Sequence, residues 1–285
     1  MKTYLDCLPC FLRQALEATR MVTDNEVIQR KVLDCVMERL LMLPLDVAPP
    51  EIALVVHRLV KEVTGELDPY RKIKKRYNQT ALSLYPQLKK MVEKSKDQLL
   101  SAIKVAIAGN VMDLAVHDVR KDFEKGIYNM LSSHFAIDDY DEFKRVLNGS
   151  QLLLYLGDNA GEIVFDIVLI EELKMIKDLE IIYVVRENPI INDVTMEDAE
   201  FVGMKNKARV ISSGSDAPAT ILSQCSRELL ELFQKADMII AKGQGNYESL
   251  SDETNIFFLL ISKCPIIAKD LKVNVGDIIL KFSSI

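Results

Sequence analysis

Four short polar clusters hold the side chains best suited to chemistry, and each follows an apolar run. Gly157-Asp158-Asn159-Ala160-Gly161-Glu162 follows Leu152 to Leu156. Asn188-Pro189-Ile190-Ile191-Asn192-Asp193 follows Ile181 to Val185, Ser212-Ser213-Gly214-Ser215-Asp216 follows Arg209 to Ile211, and Lys242-Gly243-Gln244-Gly245-Asn246 follows Met238 to Ala241. The carboxylate and amide oxygens of Asp158, Asn159 and Asp193 are the ligands a hard divalent cation such as Mg2+ or Mn2+ prefers. A second reading stands beside it: Asn159 with Glu162 three residues on has the pattern of a capping box, and Asp158 can complement a helix dipole. One N-cap needs one side chain, however, and two are offered. In the fourth cluster, glycines at 243 and 245 let backbone N–H groups approach phosphate oxygens while Lys242 supplies a point charge. KGQGN is not a Walker A sequence, but beside a carboxylate-bound cation Lys242, Gly243, Gln244, Gly245 and Asn246 form a candidate phosphate cradle. Lys263 is either a second phosphate contact or a solvent-exposed lysine.

The elements that must position these groups change character near residue 150. Before it the chain reads as helices. Asp6 is placed to cap a helix starting at Cys7, and Pro49-Pro50 open a segment whose apolar stripe runs through Ile52, Val55, Val56, Leu59, Val60 and Val63. His57 lies off that stripe and is expected to be exposed. Asp68-Pro69 starts another helix through the basic run Arg71 to Arg76, expected to be a solvated face. A stripe over Leu99, Leu100, Ile103, Ala106 and Ile107 stops at Gly109-Asn110. Asn110 and Asp113 then stand in an apolar stretch, where they either cap helices or point into a polar cavity; in the second case the helical part closes over the site as a lid. From residue 151, strand-like runs alternate with helical segments, and Pro265 to Ala268 and Asp277 to Phe282 continue the series. This alternation implies a doubly wound, mostly parallel sheet in a three-layer α/β/α arrangement. Residues 1–150 form an N-terminal all-helical domain and residues 151–285 the α/β domain. The loops after parallel strands emerge on one edge of the sheet, so the four polar clusters converge.

Composition sets the frame. With 285 residues, 49% hydrophobic and 27% charged, the chain can bury a large core as a folded globular protein. A formal charge of −6 disfavours nucleic acid or an anionic membrane as partner. The start of the sequence lacks a signal-peptide pattern, and runs such as Ile256 to Ile261 are too short to span a bilayer, so a cytoplasmic location is expected. Five scattered cysteines are expected as thiols. Cys7 and Cys10 in CLPC have spacing for metal or redox chemistry, though two small apolar residues on one helix face is the plainer reading. Three isolated histidines and no HExxH spacing argue against a His-rich zinc site.

With these residues in view, the sequence resembles the family catalogued as domain of unknown function 89, the metal-dependent damage-control phosphatases. GDNAGEIVFD, NPIINDVT, SSGSDAP, KGQGNYESL and KCPII occur in the family's order, and CLPC and AGNVMD fit its stand-alone microbial branch. The resemblance implies a helical domain packed on an α/β domain, with a metal held by Asp158, Asn159 and Asp193. It places substrate contacts at Glu162, the Lys242 to Asn246 loop and Lys263, with Asn110 added from the AGNVMD stretch. The expected activity is hydrolysis of phosphate monoesters of small metabolites such as sugar phosphates, dependent on Mn2+, Co2+, Ni2+ or Mg2+. Asp158, Asp193 and Glu162 are the candidate catalytic residues. Water with Asp193 or Glu162 as base is the simpler nucleophile; attack by Asp158 lacks the Asp-x-Asp usual for that chemistry. Leu260-Ile261-Ser262-Lys263 keeps the lysine of the eukaryotic members' Arg-Thr-x-Lys motif without its arginine, which implies a different substrate. Two other functions use the same sheet edge: S-adenosylmethionine-dependent methyl transfer, although no Gly-x-Gly turn follows the first strand, and non-catalytic binding of a metal or phosphometabolite.

Overall fold

The computed structural model describes residues 1–110, 126, 127 and 129–284. Asp113, one of the two residues on which the lid expectation rests, lies outside the described residues. Three amphipathic helices open the chain: α1 (Cys7–Val22), α2 (Glu26–Leu40) and α3 (Pro49–Thr64). Their apolar stripes meet around Phe11, Ala15, Val32, Val36, Ile52 and Val56. Pro49 fits the first turn of α3 because a helix's first N–H groups have no partner to lose. His57 is buried, at 3% exposure, contrary to the stripe argument. The reason is a second buried face on α3, where Leu54 packs with Ile190, Ala217 and Ile221 of the α/β part. Burial pushes His57 down to about 4, aided by the Lys61 charge, so it is neutral at neutral pH.

Two further helices, α4 (Arg71–Glu93) and α5 (Gln98–Ala108), lead to β1 (Ile137–Asp138) and α6 (Tyr140–Gly149). Strands and helices then alternate: β2 (Leu152–Leu156), α7 (Glu162–Ile176), β3 (Glu180–Val185), α8 (Met196–Phe201), β4 (Arg209–Ser212) and α9 (Arg227–Lys235). The chain continues through β5 (Met238–Lys242), α10 (Gly243–Leu250), β6 (Ile256–Ile261), α11 (Pro265–Leu271) and β7 (Ile278–Ser283).

The seven strands form one sheet in the order β1-β7-β6-β5-β2-β3-β4. Strands β2 to β6 are mutually parallel, β7 runs antiparallel to β6, and β1 joins the edge alongside β7. One run outside the expected strand series joins the sheet, and one within that series does not. Ile256–Ile261 is a strand, wholly apolar because helices cover both faces of the sheet. Pro265–Ala268 starts a helix instead of a strand, with Pro265 in its first turn.

Strand β2 lies between β3 and β5, so the chain leaves it in one direction for β3 and β4 and in the other for β5 and β6. A crevice opens at the carboxyl ends of strands at such a reversal, here those of β2 and β5. Helices α4 to α7 cover one face through a core that joins Leu88, Ile107, Phe143 and Phe165 to Tyr183 and Phe257. Helices α9, α10 and α11 cover the other through Leu229, Leu250 and Ile267. The division expected at residue 150 is thus crossed by a shared core, since α4, α5, β1 and α6 precede it. No helix among the described residues is long and apolar enough to cross a membrane.

The Phe257 ring meets Phe143 of α6 edge-on at 5.0 Å and stacks on Phe282 of β7 at 4.4 Å. Phe257→Ala is therefore expected to cost about 3–5 kcal/mol. Urea unfolding checks this, and a loss under 1 kcal/mol would mean that α6 is peripheral to the sheet.

Candidate active site

The loop after β2 and the loop after β3 are lashed together. Asn159 and Asp193 form an isolated antiparallel bridge. Ala160 N donates to Asn192 O at 2.9 Å and Val194 N to Asp158 O at 2.9 Å. Asp158, Asn159 and Asp193 are brought together as a result. Helix α7 takes Gly161 as its N-cap and receives no side-chain cap bond, so Asn159 is not occupied in capping. Its Nδ2 instead donates to Asp158 Oδ2 at 2.9 Å, while Arg186 Nε donates to Asp193 Oδ2 at 2.8 Å. One oxygen of each carboxylate is thereby held by a hydrogen bond. The amide oxygen of Asn159 completes a donor set suited to a hard divalent cation.

Backbone conformation makes room for this cluster. Gly243 has φ 80°, and a Cβ there would lie 1.9 Å from Asp158 Oδ2, so Asp158 rests directly on the first residue of α10. Gly161, also at φ 80°, sits against Tyr77 of α4, where a Cβ would come within 2.9 Å of the tyrosine Cβ. Next to it, Asn78 Oδ1 accepts the Gly161 N–H at 2.6 Å. Asn78 Nδ2 in turn donates to Asp198 Oδ1 at 2.8 Å, and Lys74 Nζ reaches Asp198 Oδ2 at 3.2 Å. The basic run of α4 is accordingly a solvated face except for Lys74, which turns inward.

Lys242, expected at the cradle, does not line the cleft beside Asp158. Its ammonium is fully buried and its three N–H bonds go to Ala106 O at 2.8 Å, Glu162 Oε1 at 2.6 Å and Asp166 Oδ1 at 2.5 Å. Burial alone would lower its pKa, but Asp166 and then Glu162 raise it to about 12. Asp166 also accepts the hydroxyls of Tyr155 and Tyr183, each at 2.7 Å. The expected Gly-rich loop is a strand end running straight into α10. Asn246 is likewise structural: Oδ1 accepts Thr220 N at 2.8 Å and Nδ2 donates to Lys242 O at 2.8 Å.

Four of the other expected contacts surround a cleft of about 430 Å3 between this edge of the sheet and α1 and α3, whereas the buried Glu162 and Gly243 are not part of its lining. Asn110, Gln244, Gly245 and Lys263 line it together with Asp158, Asn159 and Asp193. Lys263 is exposed at the rim, and its backbone N–H donates to Gln244 Oε1 at 3.1 Å. Asn110 Nδ2 donates to Glu162 Oε1. Two buried acceptors, Glu162 Oε2 and Asn110 Oδ1, stand without a partner among the described residues.

Four carboxylates, Asp158, Glu162, Asp166 and Asp193, gather around two buried cations, Lys242 and Arg186. With every group ionised the excess is two negative charges. Burial, then the charges of Glu162 and Asp193, holds Asp158 well above the usual carboxylate range, against the pull of Lys263 and Arg186. Burial likewise pushes Glu162 up to about 7 in spite of Lys242. It raises Asp193 too, with Arg186 opposing.

The model of the damage-control phosphatase ARMT1-like domain matches residues 3–279. The chain belongs to this family. A damage-control phosphatase of Pyrococcus horikoshii is 36% identical over 283 residues, covering 98% of this chain and 97% of its own. One from Archaeoglobus fulgidus is 35% identical over 285 residues, covering 96% and 97%. The crystal structure of a DUF89 family protein from Pyrococcus horikoshii superposes with a TM-score of 0.93 at 34% identity over all of both chains. Within this family fold, Arg186 and Asn78 support the site although no motif marks them. A charge at the end of a buried strand was the one available sign of Arg186, and nothing local marked Asn78.

Two expectations follow from this geometry. In Gly243→Ala the new methyl displaces the Asp158 carboxylate, and the Mn2+ dissociation constant should rise roughly 10- to 100-fold by calorimetry; unchanged affinity would separate Asp158 from any cation. The second concerns Glu162, whose carboxyl is raised from its ordinary 4.5 to about 7. Between these values the native state keeps a proton that the unfolded chain has lost, so metal-free stability falls as pH rises from 4.5 to about 7. Chemical denaturation in chelator should show a shallower fall in Glu162→Gln; an identical profile would contradict it.

Proposed function

We propose that this chain is a metal-dependent phosphomonoester hydrolase acting on small phosphorylated metabolites, sugar phosphates among them, in metabolite damage control. Asp158, Asn159 and Asp193 hold the cation, which is Mn2+, Co2+, Ni2+ or Mg2+. The observation that carries this reading is the excess of carboxylates over buried cations, set at a sheet reversal and opening into a cleft. A divalent cation suits that excess, and when bound it supplies Lewis acidity toward a phosphoryl oxygen.

The chain's own residues account for the rest. Lys263, at the rim, meets the negative charge of the phosphate, and Gln244 and Gly245 line the wall beside it. Glu162 Oε2, without a partner among the described residues, accepts the proton of the attacking water, with Asn110 Oδ1 as a second acceptor that orients the water. Lys242 and Asp166 keep Glu162 in place from behind. The curated relatives named damage-control phosphatase support the reaction class.

Protein stripped with chelator and resupplied singly with Mg2+, Mn2+, Co2+ or Ni2+ is given sugar phosphates and an aryl phosphate. Phosphate release should require the metal and fall by roughly 100-fold or more in Asp158→Ala. Tight metal binding without release on any substrate would indicate a binding protein instead.

A further inference from the structure

Three of the five cysteines, Cys7, Cys10 and Cys264, line the same cleft, and all five are free thiols. None has a part in the hydrolysis described above. Cys7 is the first residue of α1 and Cys10 the fourth, with Pro9 between them. One helical turn separates their Cα atoms by about 5 Å, within the roughly 4.4–6.8 Å that a disulfide bridges.

The two sulfurs have different surroundings. Cys10 Sγ receives Arg13 Nη2 at 3.6 Å and Gln14 Nε2 at 3.5 Å. A half-buried sulfur on a cleft wall, facing a guanidinium and an amide donor, is placed to attack a small electrophile. Cys7 packs against the core of the helical cluster, and burial pushes its thiol up, with the charges of Glu248, Cys264 and Cys10 adding to the effect. Burial likewise pushes the Cys225 thiol up, to about 11.

We propose that Cys10 is a thiol-modification site for low-molecular-weight disulfides, and that Cys7 resolves the adduct into a Cys7–Cys10 disulfide on the cleft wall. In the first step the Cys10 sulfur gives up its proton and bonds to one sulfur of the small disulfide, whose S–S bond breaks to release one thiol. In the second, the Cys7 sulfur gives up its proton, bonds to Cys10 Sγ and expels the other half as a second thiol. Two electrons pass from the protein dithiol to the reagent. Closure withdraws Cys10 from Arg13 and Gln14, both of which line the cleft.

The full folded chain is treated with oxidised glutathione and followed by peptide mass. The expected product is a two-hydrogen loss confined to the Cys7–Cys10 peptide, reversed by dithiothreitol. Cys7→Ser should stop at a glutathione adduct on Cys10, formed roughly 10-fold faster than any adduct on Cys225. Cys10→Ser should give neither product. A first adduct on Cys35, Cys225 or Cys264, a Cys7–Cys264 bridge, a wild-type protein that keeps glutathione on Cys10, or no reaction while folded would each overturn the proposal. The readout is mass alone, so it is independent of whether the chain hydrolyses phosphate.

Discussion

The crowding of carboxylates at the carboxyl ends of β2 and β5 is the constraint to which the surrounding structure answers. Buried like charges repel strongly at low dielectric, and a group left uncompensated shifts its pKa or brings in a counter-charge. Here two cations serve three of the four carboxylates. Arg186 lies against Asp193, and Lys242 lies between Glu162 and Asp166. Among the described residues Asp158 has no buried cation of its own, only the amide of Asn159 and the more distant pull of Lys263 and Arg186. That deficit is what a divalent cation would fill.

Holding such a cluster in place requires rigid support, and the fold provides it from both sides. The two polar loops are joined by a backbone bridge, so neither moves without the other. From the helical side, α4 binds the first loop at Gly161 through Asn78, which Asp198 holds in turn. From the sheet side, Gly243 lets Asp158 lie on α10, and Asn246 joins the end of β5 to the turn at Thr220. Positioning by supporting side chains of this kind decides whether oxygen donors fit a cation.

Much of this could be read from residue types and order. The abrupt end of Leu152–Leu156 in a polar cluster marked a strand-to-helix handover at a sheet edge, and the convergence of successive loops followed from a parallel sheet. What sequence could not supply was direction. Lys242 beside two glycines has the composition of a phosphate contact, yet its side chain turns into the protein because two buried carboxylates lie beneath β5. His57 is buried where the stripe predicts exposure because α3 has two buried faces and its periodicity shows only the stronger. The partners of Arg186 and Asn78 are tertiary, so no local spacing revealed them. Pro265 opens a helix where the sequence predicts a strand because a short apolar run fits either a strand or a first helical turn.

Anomalous diffraction from crystals soaked in Mn2+ is the most direct test of a cation at the end of β2. One peak is expected, with Asp158, Asn159 and Asp193 oxygens about 2 Å away and Lys242 still bound to Glu162 and Asp166. A peak at the cleft cysteines or at Glu248, with none beside Asp158 and Asp193, would contradict it.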